Sequence, residues 1–178
     1  MRFLVTVILM LITNLPLANP AKAAMPETVF YQPVETDRSI TPSQWQQIWR
    51  NSADHGVKTV IVQWTSHGGN DFGGTEGWLA TTLRLARENG LALIIGLHMD
   101  PDYYARLSEI DTAGTQPYLE NQLGLSLHQA DVIRNKWHLD AKGWYLPLEL
   151  DDLNFQQKTR RDIIDQQSGL KRTMHDKV

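Results

Sequence analysis

An α/β fold made of repeating βα units is what this sequence predicts, and three observations predict it. Short runs rich in β-branched residues alternate with amphipathic helical stretches. The first runs start roughly 30–35 residues apart, room for one strand, one helix and two short loops. The third run, Leu91 to His98, is apolar on both faces, as expected of a central parallel strand. The order βαβαβααβα fits two architectures. One is a TIM-barrel-type (β/α)8 fold of which this chain supplies the four N-terminal units; the alternative is a doubly wound flavodoxin-like sheet.

The chain opens with a targeting segment. Met1-Arg2 gives a positive start, Phe3 to Ile12 is apolar apart from Thr6, Pro16 and Pro20 follow, and Ala21-Lys22-Ala23 matches a small-x-small cleavage pattern. Residues 1–23 are therefore expected to be a cleaved signal peptide, too short in its apolar run to span a bilayer. A periplasmic or secreted location follows, with no membrane-spanning segment after cleavage. Losing Arg2 and Lys22 leaves 15 basic against 20 acidic residues, so the net charge moves from −3 to −5.

Thr28 to Gln32 reads as the first strand, closed by Pro33. The first helix carries a complete start signal: Thr41 as N-cap, Pro42 at the first helical position and Gln44 three residues after the cap. Trp45, Ile48, Trp49 and Ala53 share one face of it, and Gly56 stops it. Val57 to Trp64 is the second strand, with Val60 and Val62 facing the helices and Gln63 the other side. A Gly-rich stretch from Thr65 to Gly74 follows. It has neither Rossmann nor P-loop spacing and reads as a surface loop on the functional rim.

The second helix covers about Gly77 to Asn89, with Gly90 as its stop. After the third strand, Asp100-Pro101 is expected to cap a helix containing Tyr103, Tyr104 and Leu107. A further helix is expected from about Gln116 to Trp137. The fourth strand is Gly143 to Asp152. Trp144, Leu146, Leu148 and Leu150 fall on one face, and Tyr145, Pro147, Glu149 and Asp151 on the other, which turns acidic towards its C-terminal end. A helix over 155–166 and a polar tail over 167–178 complete the chain, so the domain spans 28–166.

In parallel α/β folds, ligands gather at the C-terminal ends of the strands. Each strand here ends on a polar side chain able to point to a common centre: Gln32, Gln63, His98 and Glu149. Glu149 and Asp151 are the expected catalytic carboxylates, on one strand face roughly 6–7 Å apart by strand rise. Glycosidases pair two carboxylates across the scissile bond, so a partner from another strand is also sought, with His98 and Asp100 in reach by topology. His98, Asp100 and Glu149 form at most a nonspecific O/N metal set, and no cofactor is implied.

Composition narrows the classes. Hydrophobic content of 42% and charged content of 21% are those of a globular domain, and the acidic balance argues against nucleic acid as a partner. The absence of cysteine excludes disulfides, thiolate metal sites and a cysteine nucleophile. Six tryptophans against four phenylalanines is high usage, and most are expected in the core.

Phe30-Tyr31-Gln32-Pro33, Trp45-Gln46-Gln47-Ile48-Trp49, Val62-Gln63-Trp64, Gly77-Trp78-Leu79, Gly96-Leu97-His98-Met99-Asp100-Pro101 and Gly143 to Asp152 resemble the bacterial domain-of-unknown-function family 4434. That family is related to TIM-barrel glycoside hydrolases, and the likeness runs from about Val29 to Phe155. In the larger glycosidase clan with this fold, the acid/base glutamate sits at the end of strand 4, the place of Glu149. The clan usually has Asn before it, where Leu148 stands here. Its nucleophile comes from strand 7, and only four strands are legible here, so the resemblance implies a truncated half of a barrel with two open sheet edges. The expectation is an exported glycoside-hydrolase-like protein acting on or binding a polysaccharide or oligosaccharide. Glu149 would be general acid/base, Trp64, Trp144 and Tyr145 would stack on sugar rings, and Gln63 and His98 would supply hydrogen bonds. The alternatives are a non-catalytic periplasmic carbohydrate-binding or envelope protein, and an inactive truncated product. Self-association through the open edges is expected.

Overall fold

The computed structural model describes residues 26–149 and 154–163; the expected leader, Asp151 and the polar tail lie outside the described residues. In chain order the elements are β1 (Thr28–Tyr31), α1 (Pro42–Asp54), β2 (Thr59–Val62), β3 (Ser66–His67), α2 (Trp78–Glu88), β4 (Ala92–Gly96), β5 (His98–Met99), α3 (Tyr103–Glu109), α4 (Thr112–Asn135) and β6 (Gly143–Tyr145).

Four strands form one parallel sheet in the order β1-β2-β4-β6, each beside its predecessor in the chain. Among the described residues the order never reverses, so the switch point of a doubly wound sheet is absent. Helices α1, α2 and α4 cover one face. Trp45, Trp49, Leu79, Leu83, Ala86, Ala130 and Ile133 pack there on Val60, Val62, Leu93 and Ile95. Trp49 Nε1 donates to Thr82 Oγ1 at 2.9 Å inside this layer, tying α1 to α2. On the opposite face stand Phe30, Ile61, Ile94 and Tyr145, with Phe30 56% exposed.

The sheet is curled. Its register runs from Phe30 through Ile61 and Ile94 to Gly143. Held flat, β1 and β6 would lie roughly 14 Å apart at the usual strand spacing. Instead the Phe30 ring meets the Tyr145 ring edge to face at 5.8 Å. The helix-free face is therefore concave. The contact also falls two residues beyond register, the kind of stagger that accompanies strand tilt in closing sheets.

Local signals explain most element ends. The Thr41 cap forms as expected, with Gln44 N donating to Thr41 Oγ1 at 3.3 Å and Thr41 N to Gln44 Oε1 at 2.8 Å. Gly56 and Gly90 take positive φ just past α1 and α2. Ile48 departs from the expected buried stripe and is 40% exposed. Helix α4 begins at Thr112, earlier than expected, because Asp111 caps it by accepting Gly114 N at 2.8 Å. The N-cap of α3 is Asp102; Asp100 sits two residues before it and accepts the Asp102 N–H at 2.9 Å.

The third expected strand is two pieces. β4 ends at Gly96, and β5 joins β3 in a separate two-stranded parallel sheet, so the Gly-rich stretch is not all loop. The fourth expected strand keeps its ladder only to Tyr145; Leu146 to Glu149 form no strand, and Pro147 has no N–H to contribute. Residues 158–163 are helical, within the stretch expected at 155–166.

Candidate functional site

The strand ends and the helix α3 behind them build one rim. Gly96 lets that rim form. A Cβ there would stand 2.0 Å from the Gln63 carbonyl oxygen and 2.4 Å from that of Val62, both backbone, so β2 can cross closely only over a glycine. Just beyond this crossing, Thr65 Oγ1 donates to Gly96 O at 2.8 Å. From α4, Gln129 Nε2 reaches Thr65 O at 3.3 Å and Oγ1 at 3.2 Å. These bonds fix where β3 and β5 begin.

One cluster lies on β3 and β5. The Trp64 indole tilts over the His67 ring at 4.8 Å and donates Nε1–H to Pro33 O at 3.3 Å. His98 is buried, with Nδ1 3.0 Å from Ser66 Oγ. Burial pushes the His98 imidazole below the usual histidine range; Asp100 opposes that shift and His67 adds to it. His98 is thus favoured neutral, with Nδ1 engaged by Ser66.

Asp100 is also buried and its carboxylate has three partners. Oδ1 takes the Asp102 N–H, while Oδ2 accepts from Tyr118 OH at 3.0 Å and pairs with Arg106 Nε at 2.9 Å. Burial, then the bond to Asp100, raises the Tyr118 hydroxyl well above the usual tyrosine range, so it stays a donor. Asp100 is a brace between the rim and α3.

Glu149 forms the second cluster. Its side chain is exposed, and Tyr104 OH donates to Oε2. Tyr103, fully buried, donates its hydroxyl to the Glu149 backbone oxygen at 2.8 Å. Tyr145 lies alongside, its hydroxyl raised first by burial and then by the Glu149 charge. A carboxylate presented to solvent at the mouth of a concave sheet, with two tyrosines beside it, can exchange protons with a bound hydroxylic ligand and offer flat apolar faces.

The other expected residues fall outside these clusters. Gln32 is exposed one residue past β1, and Gln63 is half-buried with its N–H on Tyr31 O at 2.8 Å. Trp144 packs with Leu146 against the helix-side core, on the face away from Tyr145. Asp151 lies outside the described residues. Sequence reasoning missed Tyr104, Tyr118, Arg106, Ser66 and His67. The adjacent tyrosines one turn after Asp100-Pro101 were the available signal for the first. Among the described residues, no three His, Asp or Glu side chains gather closely enough to hold a metal ion, and no helix is long and apolar enough to cross a membrane.

A family model described as a domain of unknown function (DUF4434) matches residues 27–173. The uncharacterized protein YbcH of Escherichia coli strain K12 is 31% identical over 150 residues, 83% of this chain and 50% of YbcH. The chain thus spans about half the length of the curated relative it matches. No solved structure matches it significantly.

Proposed function

This chain belongs to the family described as domain of unknown function DUF4434, and on that premise we propose that it is an exported, glycoside-hydrolase-like protein that engages a polysaccharide at the mouth of its curled sheet. The observation that carries this reading is the Glu149 carboxylate, exposed four residues past the fourth main strand and held by Tyr104. Supporting it are the sequential parallel strand order and the concave face, both features of a barrel segment.

In this reading Glu149 acts as general acid, giving its proton to the glycosidic oxygen as the bond to the sugar breaks. Tyr145 and Trp64 stack on sugar rings, and His98 hydrogen-bonds a sugar hydroxyl. Hydrolysis needs a second carboxylate. Asp100 is committed to Tyr118 and Arg106, which leaves the expected partner as Asp151, outside the described residues.

That commitment of Asp100 also favours a second reading, a carbohydrate-binding protein without hydrolytic activity. Glu149→Gln separates the two. It removes the transferable proton and keeps the shape, so hydrolysis is lost and binding retained under the first reading. Under the second, no polysaccharide is cleaved by either form while both bind.

A further inference from the structure

We infer that the cavity between the first turns of α1 and α2 is a second binding site, one that takes a small hydroxylated carboxylate such as a sugar acid. The cavity holds about 440 Å³ and is walled by Arg38, Trp45, Glu76, Trp78 and Thr81 beside the start of α1. In a parallel βα repeat the helices begin at the end of the sheet where the strands finish, so the cavity lies at the same end as Glu149. None of these five residues belongs to the two clusters described there.

The walls carry donors without acceptors. Trp45 is 5% exposed and stacks on Trp49, yet its Nε1–H has no partner; the Nε1–H of Trp78 is likewise buried and unpaired. Helix α2 adds to them. Its N-cap is Gly77, which offers no side chain, and the N–H groups of Trp78, Leu79 and Ala80 find no acceptor among the described residues. The start of α1 differs, since Thr41 and Gln44 cap it. A buried donor left unpaired is costly, and a ligand oxygen removes that cost. The positive end of α2 and the exposed Arg38, whose contact with Glu35 is a loose 3.9 Å, favour an anion. Glu76 is the one carboxylate on the wall. It opposes a dianion such as phosphate more than a carboxylate, and it can accept from a hydroxyl. One cation, one carboxylate and several free N–H groups thus suit a monoanion that carries hydroxyls. The sugar body of the ligand rests on the carbohydrate reading; its carboxylate does not.

The test is calorimetric titration of the full chain with D-glucuronate, with tryptophan emission followed in parallel and with glucose, acetate and inorganic phosphate as partial probes. The expected result is one glucuronate per chain, in the millimolar range, with a change in emission. Each partial probe lacks part of the contacts and should bind at least about tenfold more weakly. Arg38→Gln alters an exposed side chain outside the core, so it should weaken glucuronate about tenfold or more and leave the thermal midpoint unchanged. Lys136→Gln removes a cation elsewhere on the surface and should change nothing. No uptake of glucuronate overturns the proposal. So does acetate or phosphate binding as tightly, which would leave an anion site only, or glucose binding as tightly, which would remove the role of the carboxylate. Equal binding by the wild type and Arg38→Gln overturns it as well. Glu149 takes no part in this titration, so its failure leaves the cleavage test of Glu149→Gln standing, and the reverse.

Discussion

Phe30 and Tyr145 touch ring edge to ring face at 5.8 Å although they belong to the two outermost strands of a four-stranded sheet. Two strands lie between them, so the contact exists only because the sheet bends towards its helix-free face. That bend turns four parallel strands from a row into an arc, with one cluster at Trp64, His67 and His98 and another at Glu149 with Tyr103 and Tyr104.

Gly96→Ala tests the close approach of β2. The added Cβ meets backbone at 2.0 Å and 2.4 Å, which no side-chain rotation relieves. We expect a loss of about 3 kcal/mol, at the upper end of ordinary overpacking, in a urea titration. Gly124→Ala is the control. It sits exposed within α4 with nothing within 4 Å of the new Cβ, and should stabilise by about 0.5–1 kcal/mol.

The Trp49–Thr82 bond is buried between α1 and α2. Thr82→Val leaves the indole N–H without its acceptor and should cost about 1–3 kcal/mol in the same assay. Adding Trp49→Phe removes the stranded donor, so a double-mutant cycle should show clear non-additivity.

Much of this was legible in the sequence. The Thr41-Pro42-Gln44 start, the Gly56 and Gly90 stops and the inward Val60 and Val62 follow from local chemistry, and all are observed. The splitting of the third strand was not, because Leu91 to His98 is uniformly apolar and its break depends on β2 crossing over Gly96. The early start of α4 was hidden by Pro117, which reads as a boundary but lies inside the helix. In the site, the alternation expected from Gly143 to Asp152 holds only to Tyr145, so Glu149 lies past the strand that was to present it. The brace on Asp100 was not legible, since Tyr118 and Arg106 are brought to it only by the packing of α3 and α4.

Asp100→Asn should weaken the brace. The carboxylate serves three donors at 11% side-chain exposure, and hydrogen bonds to a charged group contribute about 1.5–3 kcal/mol each at most. We expect a destabilisation of about 2 kcal/mol by thermal unfolding. Arg106→Ala, half exposed, should cost less than Asp100→Asn.

His98 sets a pH dependence of known sign. Burial lowers its folded pKa below the ordinary 6.5. Above that value both states are neutral and nothing is lost. As pH falls below it, the unfolded chain takes up a proton that the folded chain refuses, so stability drops, by at most about 1.4 kcal/mol per pH unit for this one group. The melting temperature of the wild type between pH 7.5 and pH 5 should fall more steeply than that of His98→Gln. Equal slopes would show that the imidazole is not held neutral.

The most direct test of the functional reading is release of reducing ends from a polysaccharide panel by the wild type and Glu149→Gln, with binding of the same glycans measured in parallel. The account predicts release by the wild type, a fall of at least about a hundredfold in the variant, in keeping with loss of a general acid, and unchanged binding. Equal release by the two proteins, or no binding of any glycan by either, would contradict it.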